Sequence, residues 1–272
     1  MSKVLQPGVF VLSIDVTQPR ETTAARRSTT AACAVALTEH LAGLPATWAL
    51  DLEANAALAD ELTTADAAHE IAVLADRSWA GPGLQRRHVA DELRRRVLRA
   101  AAAGRPLSTL VLTDGQLTDN VDLLAKQGIT AVRTIARAST APSAKRYTPW
   151  FRRLRGARAA PAVRSLRWGL WEIGHAIDVI GSWRGVGRQG GEVVRTIDRV
   201  AVDGGLVHLS LDLGGLTGNV STGLKLVDRI AVKADGLRAQ GNIEVLTIAR
   251  LAARLSRRPV NLPARSILRP AA

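Results

Sequence analysis

Short apolar runs alternate with longer segments of helical period along most of the chain. Val9–Ile14 is β-branched and apolar and stops at Asp15. Ala46–Leu50 stops at Asp51, His69–Ala75 at Asp76, Ser108–Thr113 at Asp114, and Leu206–Leu211 at Asp212. These runs have strand length and strand composition. Residues 22–43, 54–64, 85–103 and 118–127 between them carry helical patterns, with Gly43, Gly104 and Gly128 placed as stops. The same criteria predict strands over 129–134, 171–179 and 243–246. They predict helices over 189–202 and 221–240, and a last helix capped by Thr247 and running to Leu255. Strand-then-helix units of about 25–35 residues predict a parallel sheet, open or closed.

The rhythm breaks over 137–170, a stretch rich in Arg, Ala, Pro and Trp with no clean period. Strand–helix alternation resumes after it, so it is expected to be an insertion within one domain spanning 1–256. The tail 257–272 has three prolines and no acid and is expected to be irregular. A chain of 272 residues fits one (β/α) barrel better than two ordinary domains. Apolar residues make up 47% and aromatic residues only 3%, so Ala, Leu and Val must fill the core.

Charge changes the picture. Lys and Arg number 37 against 24 acids, a net charge of +13, which favours anionic partners. No acid occurs from residue 123 through 171, a window that holds eleven Lys and Arg with Tyr147, Trp150, Phe151 and Trp168 interleaved. Arg152, Arg153 and Arg155 at its centre are candidate binding residues for an anionic ligand, since guanidinium groups pair with phosphate, sulfate or carboxylate. An anionic membrane surface is a second candidate partner. Nucleic acid is not favoured, because no recognised nucleic-acid module accompanies the charge. Helix 85–103 is also strongly basic. The single cysteine, Cys33, excludes a disulfide framework and a Cys-based zinc site. No apolar run reaches the roughly 18 residues of a membrane span, and the N-terminal residues read as a first strand, so a cytoplasmic location is expected.

Strand-end aspartates are the candidate chemistry. In parallel α/β folds the C-terminal strand ends form the functional face. Asp15, Asp76, Asp114 and Asp212 could converge there and share protons or hold a divalent cation such as Mg²⁺, Ca²⁺ or Mn²⁺. Each alone also fits a helix cap or turn. Strand alternation places Ser13 on the face of Asp15, and Ser210 and His208 on the face of Asp212. His208 then lies roughly 13 Å below Asp212 and is expected to be a satisfied interior histidine.

The order of segments resembles the polysaccharide deacetylase family, the NodB-homology or carbohydrate esterase 4 fold. The resemblance rests on VLSIDVTQP at 11–19, PATWALDLEAN at 45–55, AHEIAVLADRSWAG at 68–81, DNVDLLAKQGITAVRT at 119–134, LRWGLWEIG at 166–174, DGGLVHLSLDLGGL at 203–216 and GNIEVLTIARLAARL at 241–255. It implies a distorted parallel (β/α) barrel with a site at its C-terminal mouth. It implies that Asp15 holds the general-base position and that Asp212 replaces the late catalytic histidine. The family's metal-ligand positions fall on Val16, Leu74 and Ser78, and His69 takes the place of a structural histidine. Trp79, beside the second motif, becomes a candidate pocket residue with Asp76 and Asp114. Val and Leu cannot ligate a cation, so the metal-dependent mechanism of the family is expected to be absent. The expected function is a non-catalytic or divergent carbohydrate- or anion-binding protein linked to polysaccharide metabolism, with no metal cofactor. The alternatives are a deacetylase or hydrolase rebuilt on the aspartates around a divalent cation, and a basic adaptor at a membrane or nucleic acid.

Overall fold

A computed structural model describes residues 7–17, 24–41, 43–64, 69–81, 83–113, 120–135, 163–175, 177–179, 186–216 and 220–257. In chain order the elements are β1 (Gly8–Val16), α1 (Ala24–His40), β2 (Thr47–Leu50), α2 (Ala56–Thr64), β3 (Glu70–Ala75), α3 (Arg77–Ala80), α4 (Arg86–Ala102), β4 (Thr109–Leu112), α5 (Val121–Lys126) and β5 (Ala131–Ile135). After the insertion come β6 (Val163–Ser165), a 3-10 turn (Arg167–Gly169), β7 (Trp171–His175), β8 (Ile177–Val179), α6 (Val186–Asp203), β9 (Leu206–Asp212), α7 (Leu213–Leu216), α8 (Val220–Ala239), β10 (Ile243–Leu246) and α9 (Ile248–Arg257). Strand β6 and the turn after it fall inside the 137–170 stretch, so its last residues belong to the sheet. The rest of that stretch and the tail after Arg257 lie outside the described residues.

The strands form one curled sheet in the order β6–β7–β5–β4–β3–β2–β1–β9–β8, with β10 paired to β1 off this path. β1 pairs with β2, β2 with β3, β3 with β4, β4 with β5 and β5 with β7, all parallel. β8 follows β7 in the chain and pairs with β9, which pairs with β1. β6 hangs antiparallel on β7, and β10 pairs with the first half of β1, below β2. The expected parallel (β/α) barrel is the observed fold.

Alternation along the strands divides the core into two shells. Outward positions such as Phe10, Leu12, Ile14, Trp48, Val73, Leu110 and Val132 pack beneath Leu37, Leu93, Ile197, Val227 and Ile230 of the surrounding helices. Inward positions are small or polar. Ala49, Ala72 and Val111 fill one side. At the lower end Val11, Ala131 and Ile173 meet Ile248, Leu251 and Ala252 of α9, which plugs the barrel where the strands begin.

The plug is fastened by its own N-terminal N–H groups, which no helical carbonyl can satisfy. Ile248 N–H donates to Thr47 Oγ1 (2.9 Å), and Ala249 N–H donates to Glu70 Oε2 (3.0 Å). Thr247 caps the helix as expected, accepting from Arg250 N–H at 3.3 Å. Burial raises the Glu70 pKa above its ordinary value of 4.5, and the bonds from Ala249 N–H and the Thr47 hydroxyl only partly counter it. Glu70 Oε1 is buried without a partner. Because the folded pKa is raised, the folded state binds this proton more tightly than the unfolded chain. The resulting stability is present below the unfolded value and lost as pH rises through the folded one. In urea titrations at pH 5 and pH 7.5, Glu70→Gln is therefore expected to lose less stability between the two pH values than the parent protein.

Candidate functional site

Three strands carry polar side chains into the upper half of the barrel. Ser13 and Asp15 on β1 stand opposite Ser210 and Asp212 on β9 in the pairing register. Arg133 enters from β5, and its side chain is 1% exposed. Its Nη1 donates to Ser13 Oγ and to Ser210 Oγ, both at 2.8 Å, and its Nη2 donates to Asp15 Oδ2. One guanidinium thus ties β5 to β1 and β9 through the barrel interior. Beneath it, His208 Nδ1 lies 3.3 Å from the Gly174 carbonyl of β7, which can only accept, so Nδ1 carries the hydrogen. His208 Nε2 then accepts from the Ser13 hydroxyl at 2.9 Å. His208 is fully buried, the interior histidine that strand alternation predicts. Two atoms of the cluster remain buried without a partner, Asp15 Oδ1 and Arg133 Nε.

Asp212 is next to Asp15 across the β1–β9 pairing, accepting from the Thr17 hydroxyl and from Gly214 N–H at 3.1 Å. These bonds make it a cap at the start of α7 as well as a mouth residue. Asp76 does not join them. It caps α3, accepting from Ser78 N–H at 2.8 Å and from the Ser78 hydroxyl, and is exposed. Asp51 likewise closes a turn onto Glu53 N–H at 3.1 Å. Trp79 is buried, with the Arg96 guanidinium 4.4 Å from its ring centre, so its indole is part of the packing between α3 and α4. Asp114, Arg152, Arg153 and Arg155 lie outside the described residues.

At the three positions where the resemblance puts metal ligands, Val16 is buried in the outer shell, Leu74 packs on the inner apolar cluster, and Ser78 bonds to Asp76. Among the described residues no three His, Cys, Asp or Glu side chains are grouped to hold an ion. Val16 and Leu74 offer no donor atom to a cation, so these positions do not fit a tightly bound metal.

Much of the basic charge is paired. In α4, Arg86 pairs with Asp122, Arg95 and Arg99 with Glu53 (2.7 and 2.8 Å), and Arg96 with Glu92. Asp122 is pulled down to about 2, mainly by its bond from Arg86. The acids that answer this helix come partly from other elements, which the helix's own sequence could not reveal. In the acid-free window, Arg133 is the interior cation, Lys126 pairs with Asp122 (3.6 Å) and Arg164 with Glu172. Arg133 is the residue that sequence reasoning missed. Its signal was present: an arginine between Val132 and Thr134 in a short apolar strand, in phase with inward Ala131.

No family model matches the chain, and no curated protein matches it. Solved structures do. A putative polysaccharide deacetylase from Mycobacterium smegmatis superposes with a TM-score of 0.63 at 14% identity, covering 93% of this chain and 92% of that one. A 4-alpha-glucanotransferase from Thermococcus litoralis gives 0.60 at 13% identity over 92% of this chain and 41% of its own. A CE4 family pseudoenzyme from Bacillus anthracis gives 0.51 at 13% identity over 90% and 66%. The protein therefore has the fold of the polysaccharide deacetylase-type (β/α) barrels. At such identities the likeness defines the fold alone, and the same barrel serves more than one chemistry.

Removing one partner of a buried ion pair leaves the other charge uncompensated, which costs about 3–5 kcal/mol. Arg133→Met is expected to destabilise the fold by about that much in urea titration. The double variant Arg133→Met with Asp15→Asn is expected to recover part of the loss, because no unpaired charge then remains in the barrel.

Proposed function

We propose that the chain is a non-catalytic carbohydrate-binding protein built on the polysaccharide deacetylase fold. The observation that carries this reading is the Arg133 guanidinium on Asp15. The carboxylate in the general-base position is paired to a fixed cation inside the barrel instead of standing beside a set of metal ligands. A base must take a proton from water or substrate, whereas Asp15 accepts from a buried arginine whose guanidinium is itself held by the hydroxyls of Ser13 and Ser210. The Val16, Leu74 and Ser78 side chains support the same reading, since none supplies the donor set of a metal-activated water. The family resemblance suggests a polysaccharide or a fragment of one as ligand. Arg152, Arg153 and Arg155 would give the ligand preference for anionic sugars, and a cytoplasmic location is part of the proposal. No described helix is long and apolar enough to cross a membrane.

The test combines metal loading with ligand binding. The purified chain is incubated with Zn²⁺, Mn²⁺, Mg²⁺ and Ca²⁺, stripped of free ion and analysed for bound metal. It is then assayed for acetate release from an N-acetylated chito-oligosaccharide. Substoichiometric metal and no acetate are expected. One ion per chain, lost in Asp15→Asn, together with acetate release, would overturn the non-catalytic reading in favour of a rebuilt hydrolase. Calorimetry with neutral and uronate-bearing oligosaccharides checks the binding role. Replacing Arg152, Arg153 and Arg155 by Gln is expected to weaken the anionic sugar by about tenfold, ~1.4 kcal/mol, and leave the neutral one unchanged.

A further inference from the structure

At the end of the barrel opposite Asp15 and Asp212, a hairpin holds an indole out into water. The β6–β7 connection is closed by Leu166 N–H donating to the Leu170 carbonyl at 2.8 Å. Trp168 at its tip has φ +59° and ψ +30°, and it is the only non-glycine residue in the left-handed region among the described residues. It is 61% exposed. A bulky residue in that conformation is disfavoured, and such outliers gather where a surface has work beyond packing. The hairpin is fixed beside the plug helix, because Trp171 Nε1 donates to Ser256 Oγ at 2.9 Å near the end of α9.

The outer face of α9 is basic. Arg250, Ala253, Arg254 and Arg257 line a shallow depression of about 400 Å³. Arg254 pairs with Glu244, and on the hairpin Arg164 pairs with Glu172. Arg250, Arg257 and the exposed Arg167 beside Trp168 have no acidic partner among the described residues. Arginine near a helix C-terminus also complements the helix dipole, which accounts for Arg254 and Arg257 but for neither Arg167 nor the exposed indole.

We infer that this closed end of the barrel docks on an anionic lipid surface. Trp168 sits at headgroup depth, and Arg167, Arg250 and Arg257 pair with lipid phosphates. Tryptophan favours the membrane–water boundary, and clustered basic side chains are drawn to anionic leaflets. An exposed indole next to unpaired guanidinium groups matches that boundary better than it matches a soluble polyanion, which needs only the charge. In this pose the mouth with Asp15 and Asp212 points away from the lipid.

The test is co-sedimentation of the full chain with vesicles of phosphatidylcholine alone or mixed with phosphatidylglycerol. Binding is expected only to the mixed vesicles. Trp168→Gly is the informative variant, since it relieves the backbone strain while removing the ring. It is expected to raise the melting temperature and to lower vesicle affinity by about tenfold, opposite signs that a purely structural tryptophan would not produce. Arg250→Gln with Arg257→Gln is expected to lower affinity similarly and to lower the melting temperature slightly, through the lost charge at the end of α9. No vesicle binding by the parent chain would overturn the inference. So would binding that survives both variants and disappears when Arg152, Arg153 and Arg155 become Gln, which would place the contact on the insertion. Binding to heparin but not to vesicles, unchanged in Trp168→Gly, would mark a soluble polyanion as the partner and overturn it as well.

Discussion

Inside the barrel, one guanidinium group organises its neighbours. Arg133 leaves β5, crosses the interior and donates to a carboxylate and a hydroxyl on β1 and to a hydroxyl on β9. A buried arginine is tolerated only where acceptors surround it, so each inward residue near it must be short and polar. Ser13, Ser210 and Asp15 meet that need, and His208 extends the chain of bonds to the Gly174 carbonyl of β7. The cluster therefore links side chains of β1, β5 and β9 to the backbone of β7.

The interior holds a second carboxylate, and the two are stabilised by different means. Asp15 is balanced by a full positive charge. Glu70, at the other end, accepts from a helix N-terminal N–H and a threonine hydroxyl, which leaves burial the dominant influence and its pKa raised. In the pairing register Ala49 and Ala72 share the row of Asp15, and Thr47 and Glu70 share the row of Ser13. The upper carboxylate is thus a fixed component of the wall, and the lower one fastens the plug.

The high net charge has a similar internal explanation in part. Along α4, arginines are answered by Glu53, Glu92 and Asp122, and Arg96 lies on the Trp79 ring. Exposed pairs of this kind add little stability, but they remove cations from the pool that could draw an anionic partner. Around α9 and the Trp168 hairpin, Arg167, Arg250 and Arg257 have no acidic partner among the described residues. The open end presents Asp15 and Asp212.

Sequence determined the order and type of the elements, because apolar periodicity and glycine stops are local properties. Gly43, Gly104 and Gly128, read as helix stops, all have positive φ, as a left-handed turn requires. Alternation along β1 and β9 also sufficed to put Ser13, Asp15, Ser210, His208 and Asp212 on one face. Strand β6, within the 137–170 stretch, has three residues and is too short to show a period. The gathering of side chains from distant segments was decided only in three dimensions. The meeting of Arg133 with Asp15 joins residues 118 positions apart, and no local pattern encodes which inward groups end at the same height. Asp76, similar to Asp15 in sequence context, turned onto Ser78 because a free helix N-terminus lay within two residues, whereas Asp15 found a cation across the barrel. Burial, and with it the raised pKa of Glu70, likewise followed from where α9 came to rest.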